Sequence, residues 1–349
     1  MAERRQHSFE SDPVTASAPC RIDVGGTLDL STFYMPLRPL GPLTVNMAIA
    51  LRTRVRVSRG EAGKVSVVSR GFSRVLADSA TVPVDGPMGL IFAVAATFGV
   101  SGVHIDIDSA SPPRSALGGS SVASVALVAA LAEATGTPLS RSAIARTAHA
   151  VEGSVAGVPC GRQDQLAAAY GGVHVWHWGR SLDTEEPDGE PLMSPDRFPE
   201  LADRLLLAYG GVPHESRDIN GQWVRDFISG RHRSRWARII EITRSYADQL
   251  RTGDYDAAAR AIREETAIRR EMTPAVVDDL GGRLVDAAEA AGCGARFAGA
   301  GGGGCLFALG TPDRITALRP VWDNLLAGRD NATLLPVAID ADGVTVNEA

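Results

Sequence analysis

The sequence predicts a protein of mixed strands and helices, large enough for two lobes, and three observations support this. The chain has 349 residues, 44% of them hydrophobic and 22% charged, which is typical of a folded globular protein. Short segments alternate apolar and polar residues, as strands with one solvent-exposed face do. Residues 221–292 instead have helical periodicity, with breaks at Gly230, Gly253 and Pro274.

Charge and cysteine content exclude several classes of function. The formal net charge is −6, which argues against nucleic acid or an acidic membrane surface as the main partner. The four cysteines include no close pair, so we predict neither a zinc site nor a disulfide framework, and expect a cytoplasmic protein. No stretch is apolar for long enough to span a bilayer. Residues 1–17 contain no signal peptide and are expected to form a loose, disordered tail.

The most informative segment is a glycine- and serine-rich turn that opens an apolar helix. Residues 103–108 alternate and predict a strand, Gly118 and Gly119 predict a turn, and the small residues from Val122 predict a buried helix. Free backbone N–H groups at the positive end of a helix bind phosphate, so this unit predicts a phosphate site. The alternative is a glycine-containing helix cap that binds nothing.

Two other glycine-rich segments lie on either side of this unit. Residues 18–30 predict a short strand and a Gly-Gly turn that carries Asp23 and Asp29, whose carboxylates could bind a polyol. The alternative is a surface loop with Asp at turn positions. Five of the six residues from Gly299 to Gly304 are glycine. This run is too costly in chain entropy for an ordinary connection, and it predicts the close approach of another backbone or a ligand.

The remaining elements follow from periodicity and turn residues. Residues 64–69 are expected to pair with a strand at 43–59 as a hairpin, and residues 179–200 are expected to be an exposed linker. Further predictions are helices at 87–99, 141–155 and 312–327, and strands at 173–178, 205–209, 305–309 and 333–340.

The order of the three glycine-rich segments resembles that in the GHMP kinases, which include galactokinase, homoserine kinase and mevalonate kinase. Pro19 through Gly26 looks like their first motif, Pro113 through Ser121 like their phosphate loop, and Gly294 through Gly304 like their third motif. Gly157-x-x-x-Gly161-x-x-Asp164-Gln165 is similar to the pattern that carries the catalytic Asp. The chain departs from the family at Arg114 and Ala116, which stand where glycines are usual.

This resemblance is strongest to sugar 1-kinases of the D-glycero-D-manno-heptose 7-phosphate kinase type, which also resemble fucokinases. It implies an α+β, two-lobed GHMP kinase fold, with a ribosomal protein S5 domain 2-like N-terminal lobe and a ferredoxin-like α/β C-terminal lobe. We expect these domains at residues 18–190 and 191–349. The implied reaction is phosphorylation of a sugar or sugar phosphate at its anomeric hydroxyl, using ATP and Mg²⁺. The expected partner is that small molecule, with a possible homodimer.

The resemblance also implies roles for individual residues. Asp164 would accept the proton of the sugar hydroxyl, Arg21 would steady the charge on Asp164 and the γ-phosphate, and Ser121 with Glu152 would hold Mg²⁺. The implied ATP-binding residues are Pro113, Ser115, Leu117, Gly118, Gly119, Ser120 and Ser121. The implied substrate-binding residues are Asp23, Gly26, Thr27, Asp29, Arg162, Gly171, Gly172, His214, Ser216, Arg217, Gly301 and Gly302.

Other functions remain open from the sequence. The chain could phosphorylate a free sugar, as fucokinase- and galactokinase-like enzymes do, or serve as a non-catalytic sugar sensor. It could also be a decarboxylase of the mevalonate branch. Arg217 is the expected contact for a phosphate already on the substrate, and the alternative is that it pairs with Glu215 or Asp218.

Overall fold

The structure is a computed structural model that describes residues 7–8, 12–157, 159–181, 186–212 and 219–347. Within these ranges the strands are β1 His7–Ser8, β2 Val14–Val24, β3 Leu43–Arg59, β4 Lys64–Ser69, β5 Phe72–Asp78, β6 Val100–Ser101, β7 Val103–Ser109, β8 Val173–His177, β9 Gly189–Pro191, β10 Leu205–Gly210, β11 Gly294–Phe297, β12 Cys305–Leu309, β13 Ala332–Leu335 and β14 Thr345–Val346. The α-helices are α1 Ser31–Leu37, α2 Gly89–Thr97, α3 Gly119–Ala134, α4 Arg141–Val155, α5 Gln163–Tyr170, α6 Phe198–Ala202, α7 Ile219–Ile228, α8 Arg233–Thr252, α9 Tyr255–Met272, α10 Asp279–Ala290 and α11 Pro312–Leu326. Short 3-10 helices cover Arg38–Leu40, Pro195–Arg197 and Pro274–Val276.

The first lobe is built on an eight-stranded sheet in the order β14-β2-β3-β7-β4-β5, with β8 and β9 branching from β3. The 17-residue β3 has room for this branch, because Leu43–Met47 pair with β8 while Thr53–Arg59 pair with β7. Helix α3 packs on β2 and β3, and every residue from Ser121 to Ala132 is buried. Its small side chains let the helix lie close to the sheet, which fixes the position of its N-terminus.

The predicted hairpin of residues 43–59 with 64–69 is wrong. Strand β4 pairs in parallel with β7 and antiparallel with β5, so β7 lies between β3 and β4. Both β4 and β7 have buried apolar residues at alternate positions, Val65 and Val67 in one and Val103, Ile105 and Ile107 in the other, so alternation alone does not select the neighbour of β3. The Gly60–Gly63 connection crosses the start of β7, and a Cβ added to Gly60 would lie 2.7 Å from the carbonyl carbon of Val103.

Two segments that were expected to be loose are ordered elements. The prediction of a loose tail is wrong for residues 14–17, because β2 begins at Val14 and its residues Val14 and Ala16 are buried. For residues 189–200 the predicted exposure holds at most positions, but the prediction of a linker is wrong because the segment forms regular structure. There β9 pairs with β8, and apolar side chains that include Leu192 and Phe198 are buried.

The second lobe has a four-stranded antiparallel sheet in the order β11-β12-β10-β13. One face packs against α10 and α11 as a separate apolar cluster, in which Leu284, Leu318 and Trp322 are buried. The other face joins the larger core, which is continuous with the first lobe. The chain then returns to the first lobe, where β14 pairs with β2. No helix in the described ranges combines the length and the apolar character needed to cross a membrane.

Candidate active site

A cavity of about 890 Å³ lies between the three glycine-rich segments. Strand β2 and the turn after it, the loop before α3, helices α4 and α5, and the loop after β11 all contribute to its lining. Residue Asn220 of α7 completes the wall on the second lobe. The charged residues in this described lining are Arg21, Asp29, Arg70, Arg114, Glu152 and Asp164.

The phosphate loop leads into α3 through a left-handed residue. Gly118 has φ +80° and is the N-cap of α3, and no side chain caps the helix there. The first N–H groups of α3 therefore remain available to an anion. Of the predicted ATP-binding residues, Pro113, Ser115, Gly118, Gly119, Ser120 and Ser121 line the cavity. The side chain of Leu117 is instead fully buried in the core, and its carbonyl oxygen accepts the N–H of Arg21 at 3.2 Å.

Asp164 and Arg21 form an ion pair at the floor of the cavity. Arg21 Nε donates to Asp164 Oδ1 at 2.8 Å, and Arg21 Nη1 donates to the carbonyl oxygens of Ala116 and Ala298, each at 2.9 Å. Burial lowers the pKa of Arg21, but the charges of Asp164 and Asp23 outweigh it and hold that pKa above its ordinary value. Arg21 is therefore a fixed, fully ionised cation beside a carboxylate whose side chain is 23% exposed.

A second cluster of polar side chains lies at the N-terminus of α3. Ser121 Oγ donates to Glu152 Oε2 at 2.8 Å, and Gln165 Nε2 donates to the same oxygen at 2.5 Å. Burial raises the pKa of Glu152, and the hydrogen bond from Ser121 opposes that rise. A hydroxyl and a carboxylate are hard oxygen ligands of the kind that Mg²⁺ prefers, so this pair fits that ion. The sequence analysis missed Gln165 as a site residue, although it directly follows Asp164.

The turn after β2 forms the other end of the cavity. Asp29 Oδ2 accepts the N–H of Gln163 at 3.1 Å, and Thr27 Oγ1 donates to Asn220 Oδ1 at 3.2 Å. Burial raises the pKa of Asp29 to about 7, and the nearby carboxylate of Asp164 adds to the rise. A Cβ added to Gly161 would lie 1.7 Å from Asp29 Oδ2, so only glycine lets α5 approach this turn.

Asp23 does not reach the cavity, although the sequence analysis placed it among the substrate contacts. It is fully buried, and its Oδ1 accepts a hydrogen bond from Arg296 Nη1 at 3.0 Å. Arg296 Nε in turn donates to Glu265 Oε2 at 2.8 Å, and Arg269 Nε donates to Glu265 Oε1 at 2.9 Å. Asp23 thus belongs to a buried ion cluster, here called the Asp23 cluster, that also contains Glu265, Arg269 and Arg296, and its Oδ2 lies 3.6 Å from Arg21 Nε.

Arg269 connects this cluster to the turn after β2, at the end of the cavity that is here called the acceptor end. Its Nη2 donates to the carbonyl oxygen of Gly26 at 2.7 Å, and its guanidinium lies against the rings of both Trp223 and Trp236, at 4.6 and 4.7 Å from their centroids. The sequence analysis missed it, but Glu265 and Arg269 are four residues apart on one helix, a spacing that brings side chains together.

Other predicted substrate contacts lie outside the cavity lining. Arg162 is 5.8 Å from the ring centroid of Trp178 and is not part of the cavity lining. Gly171 and Gly172 instead meet the C-terminal segment, because Gly172 N–H donates to the carbonyl oxygen of Asp340 at 2.6 Å. Three further predicted contacts, His214, Ser216 and Arg217, lie outside the described residues.

The third glycine segment serves close contact between backbones. A Cβ on Gly299 would lie 2.6 Å from the carbonyl oxygen of Ala116, and one on Gly304 would lie 2.6 Å from that of Ser115. Gly301 and Gly302 face Val276, whose carbonyl oxygen accepts the N–H of Gly302 at 2.8 Å, so they do not line the cavity as predicted. The run therefore holds the phosphate loop in place.

Comparisons with known proteins agree with this architecture. The family model "GHMP kinases N terminal domain" matches residues 88–172, and "GHMP kinases C terminal" matches residues 246–326. The mevalonate kinase of Thermococcus gammatolerans is 25% identical over 60% of this chain, and the match spans 60% of that relative's length. The D-glycero-alpha-D-manno-heptose 7-phosphate kinase of Campylobacter jejuni is 31% identical over 31% of each chain.

A solved structure shows the same fold. The D-glycero-D-manno-heptose 1-phosphate kinase of Bacteroides thetaiotaomicron superposes with a TM-score of 0.73 and 21% identity, covering 96% of this chain and 99% of that chain. The two-lobed α+β fold expected from the sequence is thereby confirmed.

Proposed function

The chain belongs to the GHMP kinase family, and we propose that it transfers the γ-phosphoryl group of ATP to the anomeric hydroxyl of a sugar or sugar phosphate. The single observation that carries this proposal is the Arg21–Asp164 pair beside the uncapped N-terminus of α3. The two groups are joined at 2.8 Å, and a Cβ on Gly118 would lie 3.3 Å from Asp164 Oδ2. A proton acceptor and a phosphate-binding helix end thus meet in one cavity.

The chemistry of the step follows from these residues. The N–H groups at the start of α3 would hold the ATP phosphates, and Asp164 would accept the proton as the sugar oxygen bonds to the γ-phosphorus. The bond from that phosphorus to the bridging oxygen breaks, and ADP leaves with the electron pair. Arg21 would stabilise the negative charge of Asp164 before the proton moves and that of the γ-phosphoryl group during the transfer. Ser121 and Glu152 would hold Mg²⁺, which when bound neutralises phosphate charge.

The charges of the acceptor end favour a polyol over a carboxylate substrate. Asp29 and Asp164 line the described cavity there, with Thr27, Gln163 and Asn220 as neutral partners. Carboxyl groups form hydrogen bonds with hydroxyl groups in either protonation state, whereas two neighbouring carboxyl groups are unfavourable surroundings for the anionic carboxylate of mevalonate. This argument supports a sugar over mevalonate, the substrate named for the Thermococcus relative. We further propose a cytoplasmic protein, in keeping with its four free cysteines.

The position of a phosphate on the sugar depends on residues outside the described ranges. We propose that the substrate already carries a phosphate at its far end and that Arg217 binds it, as the resemblance to heptose 7-phosphate kinases implies. A kinase of the free sugar, such as a galactokinase-like enzyme, remains the alternative. A preference of the wild type for free sugar over sugar phosphate would remove this part of the proposal alone.

The test is ADP release from a panel of heptoses, hexoses, their terminal phosphates, and mevalonate, using wild type and Asp164→Asn. We expect turnover of a sugar or a sugar phosphate. Phosphorus NMR of the product should show the new phosphate group on the anomeric oxygen. Asp164→Asn should lower kcat by about 10²–10⁴-fold, because the amide keeps the shape and loses the proton acceptor. Its affinity for ATP should stay within a few-fold of wild type.

Four outcomes would contradict the proposal. Turnover of Asp164→Asn within a few-fold of wild type would remove Asp164 from the mechanism. Turnover of mevalonate in place of sugars would reject the substrate class, and CO₂ release from mevalonate diphosphate would identify a decarboxylase. Sugar binding without ADP release from any sugar in the panel would favour the sensor.

A further inference from the structure

Arg114, in the phosphate loop, has an unfavourable backbone conformation. Its φ is +53°, in the left-handed region that favours glycine, and Ala116 two residues later has φ +62°. Of the six non-glycine residues with positive φ in the described part of the chain, two are therefore in this loop. Such strain persists where the surrounding structure or the function requires it.

Arg114 and Ala116 differ in the contacts that their own atoms make within the protein. Ala116 holds the site together, because its carbonyl oxygen accepts a hydrogen bond from Arg21 Nη1 at 2.9 Å and its Cβ lies against the glycine run. Arg114 is exposed and lines the cavity, and its side chain has no hydrogen bond or ion pair with any described residue. Packing therefore gives no reason for a side chain here, where glycine would be free of strain.

The charge balance of the cavity points to a use for this side chain. Three arginines line its described wall, and two of them already have an acidic partner. Arg21 pairs with Asp164 at 2.8 Å, and Arg70 pairs with Asp108 at 2.7 Å. Arg114 is the cation of this lining without an acidic partner. It lies four residues before the N-cap of α3, directly beside the predicted site for the phosphates.

We propose that the Arg114 guanidinium binds the phosphate groups of the nucleotide and is a specificity-determining residue for nucleotide charge. This inference rests on the proposed function, since it takes ATP as the ligand of the phosphate loop. An arginine presents a planar fork of donors that can bind phosphate oxygens in pairs. The loop then has one side-chain cation in addition to the backbone N–H groups of α3, and the favourable contact with nucleotide offsets the backbone strain.

The test compares Arg114→Gly and Arg114→Lys with the matched control Ala116→Gly, all in the full-length chain. The control relieves strain in the same loop without removing a charge. Calorimetry would measure the Kd of each variant for the imido analogue of ATP with Mg²⁺, and for adenosine. We expect Arg114→Gly to raise the Kd of the analogue by roughly 10–100-fold, for loss of a charge-assisted contact. Arg114→Lys should lie between Arg114→Gly and wild type.

Two further readouts separate this role from a structural one. Adenosine has no phosphate, so Arg114→Gly should leave its Kd within twofold of wild type. The salt dependence of analogue binding should also become shallower, because one charge pair is lost. Meanwhile Arg114→Gly should unfold at a temperature roughly 1–3 °C higher than wild type, because glycine fits the positive φ. Weaker binding by a more stable protein cannot be caused by unfolding.

The proposal is overturned if Arg114→Gly binds the analogue within twofold of wild type. It is also overturned if Ala116→Gly weakens binding as much as Arg114→Gly, since loop flexibility rather than charge would then explain the loss. A wild type that binds no ATP analogue would defeat the proposed function itself, and with it this inference. The three results are distinguishable in one set of titrations.

Discussion

Asp29 is a carboxyl group in surroundings that favour its neutral form. It is buried, and that burial raises its pKa to about 7 although the hydrogen bond from Gln163 N–H lowers the pKa in part. Between the unfolded pKa near 3.8 and about 7 the folded chain therefore holds more protons at this residue than the unfolded chain. The free energy of unfolding must then decrease as pH rises through this window.

We predict that Asp29→Asn removes this dependence, because the amide has nearly the same shape and no charge to bury. Wild type should be as stable as the variant, or more so, near pH 4, and less stable at pH 8. Between pH 4 and pH 8, the difference in the free energy of unfolding between the two proteins should change by at most about 4 kcal/mol, because the pKa of Asp29 is raised by about three units. Urea unfolding of both proteins at several pH values measures it, with Asp106→Asn on the exposed side of β7 as the control. A difference between wild type and Asp29→Asn that is constant from pH 4 to 8 contradicts the prediction.

At this scale the sequence identified segments better than it identified side chains. Arg21, Ser121, Glu152 and Asp164 all line one cavity, and their catalytic and metal-binding roles remain predictions. Asp23 lies two residues after Arg21 on β2, and both side chains are on one face of the strand. Only the second lobe decides that Asp23 is covered by Arg296 while Arg21 reaches the cavity, and no local pattern contains that information.

Among the elements, the glycine run between β11 and β12 lets the second lobe contact the phosphate loop of the first lobe closely. Gly299 and Gly304 let it approach the phosphate loop so closely that Cys305 N–H donates to the carbonyl oxygen of Ser115 at 2.8 Å. The prediction that a backbone or ligand approaches this run is therefore confirmed, with the phosphate-loop backbone as the neighbour. The run and the loop form one structural unit, although about 180 residues of chain separate them.

We predict that Gly304→Ala destabilises the protein by about 2–4 kcal/mol, since it combines a strained φ with overlap against backbone. The new Cβ would lie 2.6 Å from the carbonyl oxygen of Ser115, and Gly304 has φ +80°. Gly136→Ala is the matched control, because Gly136 has φ +65° with no atom within 4 Å of the added Cβ. Its cost should be about 1 kcal/mol, from backbone strain alone. Equal losses for the two variants in urea unfolding would show that contact with the phosphate loop is unimportant.

The sequence predicted the helices more completely than it predicted the pairing of the strands. Residues 141–155 were predicted as a helix capped by Ser140, and α4 spans that range, with Ala143 N–H donating to Ser140 Oγ at 3.2 Å. A cap and a periodic apolar face are local signals, so they are readable in one segment. Which strand lies beside β3 depends instead on how the complete sheet packs. The alternation of residues 64–69 could not distinguish pairing with β3 from pairing with β7.

At the scale of the whole molecule, the Asp23 cluster joins the two lobes through buried charges. Glu265 and Arg269 belong to α9 and Arg296 to β11, whereas Asp23 belongs to β2 in the first lobe. All four side chains are buried, and their formal charges cancel. Burial raises the pKa of Glu265, but Arg296 and Arg269 outweigh it, so the group stays ionised at neutral pH.

The sequence predicted two lobes but not how they are tied together. Arg269 donates to the carbonyl oxygen of Gly26, which is 243 residues earlier in the chain. The last strand, β14, also returns to pair with β2 of the first lobe. Contacts at such separations follow from the packing of complete elements, and neither composition nor spacing indicates them.

Our last prediction concerns Arg269, which links the Asp23 cluster to the acceptor end of the cavity. Arg269→Met should lower the free energy of unfolding by about 3–5 kcal/mol, because it leaves a buried carboxylate with one of its two cations. It should also raise KM for the sugar while KM for ATP changes little, since Arg269 holds the Gly26 carbonyl and not the phosphate loop.

The matched control is Arg238→Met on the surface of α8. Arg238 also pairs with two carboxylates, Glu264 at 2.7 Å and Glu241 at 2.9 Å, but all three side chains are about half exposed. Water already screens these charges, so the loss should be below about 1 kcal/mol. Urea unfolding measures the stability of both variants. Steady-state kinetics on Arg269→Met measures KM for the sugar and for ATP, with Arg269→Lys, which keeps the charge, for comparison. If Arg269→Met is as mild as Arg238→Met, the Asp23 cluster does not hold the lobes together, and the acceptor turn keeps its shape without it.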